Sequence, residues 1–190
     1  MRISTQFVVV AILAMLGASC AGTQAQKKAP VREQTNFSAE DEGVLHPVPI
    51  TEEVFALLLQ DKRVRNFLTP PNPTDPDAPK ALTEEDLRKR CFSAAVVHLH
   101  GTKSNDLVVE GQGDLRGANV IPFWVFIDTP QGMKLAMHAS EHDIFVENKR
   151  WHGYRTIEIA SMNCCTIWRV WLRFDGKEYV KYREWMKDNK

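Results

Sequence analysis

Among the residues able to do chemistry, His98 and His100 stand first, two positions apart in Val97-His98-Leu99-His100. On a strand that spacing turns both imidazoles to one face, where His138, His142 or Asp143 would add further donors for Zn²⁺. The chemistry implied is a metal-dependent hydrolase or a metal-binding protein built on His98, His100 and His138. The interval from the first pair to the later residues is long and matches no metal-binding motif. Two polar residues on the solvent face of a strand are therefore the simpler expectation, with no metal and no cofactor.

The thiols are Cys20, Cys91, Cys164 and Cys165. With Cys20 set aside for the reason given below, three remain, an odd number that allows one disulfide and one leftover thiol. Cys164 and Cys165 are neighbours, and Cα atoms about 3.8 Å apart fall below the usual disulfide separation of roughly 4.4 to 6.8 Å. A bridge from Cys91 to Cys164 or Cys165 is expected ahead of a strained vicinal disulfide. No feature sets a thiol at a helix N-terminus or beside a fixed imidazole, so a Cys/His nucleophile has no visible cause of activation. The chain has neither a Gly-x-Ser-x-Gly elbow nor a Gly-x-x-x-x-Gly-Lys loop. In Gly111-Gln112-Gly113-Asp114-Leu115-Arg116-Gly117 the third glycine comes one place late for a dinucleotide fingerprint, and the stretch reads as a loop. No catalytic residue is assigned.

Five tryptophans, Trp124, Trp151, Trp168, Trp171 and Trp185, are many for 190 residues. On strands they are usually core, with the indole N–H finding one partner. Trp168 and Trp171 differ by an odd number and must face opposite sides of a regular strand. An exposed Trp beside Arg169 or Arg173 would mark a contact surface.

The elements that must position these residues fall into three stretches. From Cys20 to Pro49 the chain is rich in Ala, Gln, Lys, Glu and Pro without helical or strand period, and it reads as a disordered tether of about 30 Å r.m.s. span. Thr51, with Glu52 and Glu53 behind it and an Ile50/Phe55 staple, predicts a helix to about Leu68. Five prolines between Thr69 and Lys80 forbid helix and ladder pairing, and Thr83 with Glu84, Glu85 and Asp86 caps a second short helix ending near Arg90 or Cys91.

Eight short runs follow, rich in β-branched and aromatic residues: 94–99, 107–110, 123–127, 135–138, 144–147, 156–159, 167–174 and 179–182. Trp124-Val-Phe-Ile-Asp128, a Gly turn and Met133 to His138 parallel Trp171-Leu-Arg-Phe-Asp175, a Gly turn and Lys177 to Tyr182, each preceded by a strand. The expectation is one α+β domain over residues 50–190, two short N-terminal helices packed on an antiparallel β-meander of about eight strands. Two similar units would stack or pair, because a lone hairpin is not stable in water.

The first twenty residues set the address. Arg2 precedes an apolar run, Phe7 to Leu16, which ends in Leu16-Gly17-Ala18-Ser19-Cys20. Ten apolar residues are too few for a spanning helix, which needs about 20, so the run reads as the core of an export signal, residues 1–19. The segment resembles the lipobox of bacterial lipoproteins, departing at Gly17, where that family usually has an aliphatic residue; the alternative is ordinary cleavage near Ala21 or Ala25. The resemblance implies acylation of Cys20 and a membrane partner engaged through that anchor. It places the protein in the bacterial cell envelope, at the outer membrane if there is one, with a periplasmic or secreted protein as the alternative.

The stretch from Val97 to Val109, with Gly101, Ser104, Asn105 and Asp106 between two strands, resembles the calcium loop of FG-GAP and VCBS-like secreted bacterial proteins. His98, His100 and Thr102 stand where the first three side-chain ligands would be, and only Asp106 retains a carboxylate. Ca²⁺ wants several oxygen ligands, so the resemblance implies a retained turn without its ion. A β-rich exported domain is implied and no enzymatic activity.

Charge excludes one more class. The 24 basic and 24 acidic side chains balance, and removal of Arg2 with the signal leaves 23 against 24. There is no footprint for nucleic acid. The function expected is a non-catalytic binding or interaction module of the envelope, with an envelope protein or a glycan as partner.

Overall fold

A computed structural model describes residues 33–69 and 80–188. The signal, Cys20, the first part of the tether and the proline-rich connection lie outside the described residues. From Arg32 onward the chain is one compact unit.

Among the described residues the fold is α+β, with three short α-helices and nine strands in two antiparallel sheets. Strands β2 (Phe92–Val97), β3 (Asp106–Gly111), β4 (Ile121–Thr129) and β5 (Gly132–Glu141) form a four-stranded meander in sequence order. The chain changes sheets at His142. Strands β6 (Asp143–Trp151), β7 (Tyr154–Met162), β8 (Thr166–Phe174) and β9 (Tyr179–Asp188) form the second meander, and β1 (Asn36–Ser38) adds a short strand on the free edge of β6.

The two sheets pack face to face. Val108, Phe123, Val125 and Ile127 of the first meet Ile144, Ile157, Val170 and Leu172 of the second in one core. Helices α1 (Glu52–Leu58), α2 (Lys62–Asn66) and α3 (Glu84–Arg90) cover the other side of the first sheet, where Val54, Leu58, Val64 and Leu87 pack on Leu107, Val109, Trp124 and Phe126. Strands β3 and β4 are thus buried on both faces, which is why they read as continuous apolar runs while strands of the second sheet alternate. Helix α1 docks against the β4–β5 turn through Glu53, which accepts from the Met133 amide at 2.9 Å. Gly132 is required there, since its φ is +107° and a Cβ would lie 2.1 Å from the Glu53 carboxylate.

Two expectations need correction. The tether ends earlier than residue 49: Phe37 is fully buried, β1 pairs with β6, and Val48 bridges to Ala94, so the domain begins by residue 33. Single apolar residues without period carry no helical or strand signal, although burying one or two ties down a segment. The helix expected from Thr51 to Leu68 is two helices, because the Asp61 side chain accepts from the Arg63 amide and starts a new one.

The internal repeat has a structural counterpart. Its copies are β4–β5 and β8–β9, the last hairpin of each meander. Trp124 and Trp171 both point away from the shared core, Trp124 beneath the helices and Trp171 on the outer side of the second sheet.

Candidate binding face

Alternation dictates what that outer side presents. On β8, Val170, Leu172 and Phe174 are buried in the core, which turns Ile167, Arg169, Trp171 and Arg173 outward. Across the ladder Ile167 faces Lys187, Arg169 faces Trp185 and Trp171 faces Arg183. Each indole therefore lies beside a guanidinium in a checkerboard, and the six residues line a shallow groove of about 350 Å³. The Arg183 guanidinium carbon stands 4.6 Å above the Trp171 ring. Arg173 lies 4.4 Å over Trp151 and 5.6 Å over Tyr182, and Lys149 is 5.8 Å from the Tyr182 ring, extending the pattern toward the β6–β7 turn. A β-bulge between Trp171 and Leu172 lets Tyr182 and Arg183 line the same side.

The floor of this face is acidic. Glu158 of β7 pairs with Arg169 at 3.0 Å and is 5% exposed, and burial pushes its carboxyl up against the pull of Arg169. Glu147 lies beside it and raises it further. Trp151 and Trp185 remain 42% and 41% exposed, whereas Trp124 is 1% exposed under the helices. The two sheets thus differ in one respect that matters: one outer side is covered, and the other carries aromatic rings and cations into solvent.

The histidines separate. His98 donates from Nδ1 to the Ser104 carbonyl at 2.6 Å, and His100 Nδ1 stands 3.0 Å from Asp106 while its ring stacks on Tyr154. His138 faces the helices, stacked on Trp124 at 5.2 Å with Nε2 3.3 Å from Asp61, which also accepts from the Trp124 indole at 3.1 Å. Desolvation holds the His138 imidazole below its ordinary range, against the attraction of Asp61. His142 Nδ1 lies 3.1 Å from Asp143. His98 and His100 share one turn, but His138 belongs to another layer, and no group of three His, Cys, Asp or Glu among the described residues is set to hold a metal ion.

The turn that resembles a calcium loop is organised by Asp106. Its carboxylate is fully buried and accepts from the amides of Leu99 at 2.7 Å and Asp128 at 2.9 Å and from the Ser104 hydroxyl at 2.6 Å. The oxygens a cation would need are engaged in closing the turn.

The cysteines also separate. Cys91 is buried between helices and sheet, where desolvation raises its thiol, while Cys164 and Cys165 are exposed in the β7–β8 turn. All three are free, so the bridge expected from Cys91 is not made. The distance along the fold from the start of β2 to the far turn explains it: their layers are different.

The reading by spacing singled out Arg169 and Arg173 and missed Lys149, Tyr182 and Arg183. The signal was present as a period of two in Ile167-x-Arg169-x-Trp171-x-Arg173 and in Arg183-x-Trp185-x-Lys187. Which of the two faces it marked depended on the second sheet having no helices over it among the described residues. Among the described residues no helix is long and apolar enough to cross a membrane.

No protein family matches this chain, and neither does any curated protein or solved structure.

Proposed function

We propose that this protein is a non-catalytic binding module of the bacterial envelope, held on a membrane through an acylated Cys20, and that the outer face of β8 and β9 is its contact surface. The single observation carrying the reading is the checkerboard of Trp171 and Trp185 with Arg169 and Arg183 on a sheet face that no other described residues cover. Half-exposed tryptophans beside arginines concentrate binding energy, since both bring large contact area and specific polar geometry. The sequence supports the address through the apolar run ending at Ser19-Cys20.

The test is site-specific photo-crosslinking in intact cells. A benzoylphenylalanine placed at Trp185 should give a discrete adduct in the envelope fraction, and the same probe at Glu85 on the helix layer should give none. Equal labelling at both positions, or none at Trp185, ends the assignment of this face.

A further inference from the structure

We infer that the ligand of this face is an acidic polysaccharide, a polymer of sugar rings bearing carboxylates, which rests on the binding role proposed above. Three features of the face select that chemistry. The first is charge: Lys149, Arg169, Arg173, Arg183 and Lys187 outnumber Glu147 and Glu158, although the chain as a whole is balanced. Arg173 and Arg183 have no carboxylate within ion-pair distance among the described residues, and the guanidinium carbon of each lies over an aromatic ring, 4.4 Å from the Trp151 centroid and 4.6 Å from that of Trp171. A guanidinium over a ring and without an acidic partner has N–H donors left for a ligand carboxylate, which it can hold in a bidentate pair.

The second feature is the geometry of the rings. Trp171 and Trp185 sit on adjacent strands with the groove between them, and the row from Ile167 to Arg173 runs about 20 Å along the strand. An extended chain with alternating apolar ring faces and polar rims fits such a row. A protein partner would bury roughly 800 Å² per side around a charge-depleted centre, and here cations alternate with the rings.

The third is the pair of acids on the floor. A single-stranded nucleic acid carries a phosphate at every unit and would set one against Glu147, which lines this face, while Glu158 beneath neutralises Arg169. A sugar acid presents its charge at one edge and hydroxyls around the rest of the ring, and carboxylates accept from hydroxyls. Mixed cations, carboxylates and rings therefore match a ligand with acid, hydroxyl and apolar surfaces in each repeat.

The experiment is isothermal titration of the full-length protein in non-ionic detergent with polygalacturonate and alginate. The controls are the fully methyl-esterified polygalacturonate and oligo(dT). We expect binding to a uronate polymer, at least about 10-fold weaker binding to the ester, and a loss of about 10-fold in Arg183→Ala that Arg183→Lys restores only in part. Trp171→Ala should lose a comparable factor, and circular dichroism of each variant reports its folding. Failure of both uronate polymers to bind, equal affinity for the ester, unchanged affinity in Arg183→Ala, or tighter binding of oligo(dT) overturns the assignment. An adduct at Trp185 in the crosslinking experiment alongside any of these leaves the binding role standing with another ligand; absence of both removes the role as well.

Discussion

Glu110 stands between the two sheets, fully buried, with Arg116 at 3.3 Å from one oxygen and no partner for the other. Burial pushes its carboxyl up to about 7, against the pull of Gln112 and Arg116. The folded state therefore holds this proton through a range of pH, from about 4.5 to about 7, in which the unfolded chain has released it. Stability from this group is fully present below the lower value and is lost as pH rises through the upper one, by about 3 kcal/mol in all. Glu110→Gln, a neutral side chain of the same shape, should remove that slope. Urea denaturation at pH 5 and pH 8 should show the variant gaining on the parent at pH 8, and parallel pH profiles would show that the carboxyl is not titrating here. Arg116 also donates to the carbonyls of Ala39 and Asp41, so the same residue ties the N-terminal segment to the sheet edge.

Strand β6 shows how one side chain decides an element. Its register against β7 shifts between Val146 and Arg150, and the Arg155 guanidinium fills the gap, donating to the carbonyls of Val146 at 2.8 Å and Glu147 at 2.7 Å. Two further contacts at 2.9 Å reach the Glu33 carboxylate, which in turn accepts from the His98 amide. One buried cation thereby joins the bulge, the segment before β1 and the β2–β3 turn. Arg155→Ala leaves Glu33 without its cation and the Val146 and Glu147 carbonyls without their side-chain donor, and should cost about 3 kcal/mol, read as a lower urea midpoint at unchanged slope. A loss under about 1 kcal/mol would mean that the backbone alone holds the bulge.

At the scale of the whole molecule, the two meanders are alike and their surroundings are not. Both carry an outward Trp at the matching position, yet three short helices cover the first sheet and leave the outer side of the second exposed. The anchor has its own test: Cys20→Ser should move the protein from the detergent phase to the aqueous phase in cloud-point partitioning, or leave the leader uncleaved. Unchanged partitioning of a cleaved variant would end the lipoprotein reading. The expected α+β class and the eight strand runs were legible because period, turn residues and caps are local signals, whereas whether the two similar units stack or pair was left open. The start of the domain at residue 33 and the break at Asp61 were not, since Phe37 and one N-cap acid become informative only when a partner surface exists.

By itself the amino-acid order determined which residues alternate along β8 and β9, where the prolines and caps stop helices, and that neither a Gly-x-Ser-x-Gly elbow nor a Gly-x-x-x-x-Gly-Lys loop is present. Only the tertiary structure decided which face of each sheet is inside. It put His138 under the helices and away from His98 and His100, buried Cys91 away from Cys164 and Cys165, and turned Asp106 inward to close a turn. The physical reason is that a period of two fixes opposite sides of a strand without saying what covers each. That is settled by where the helices dock, through contacts between residues far apart in the chain.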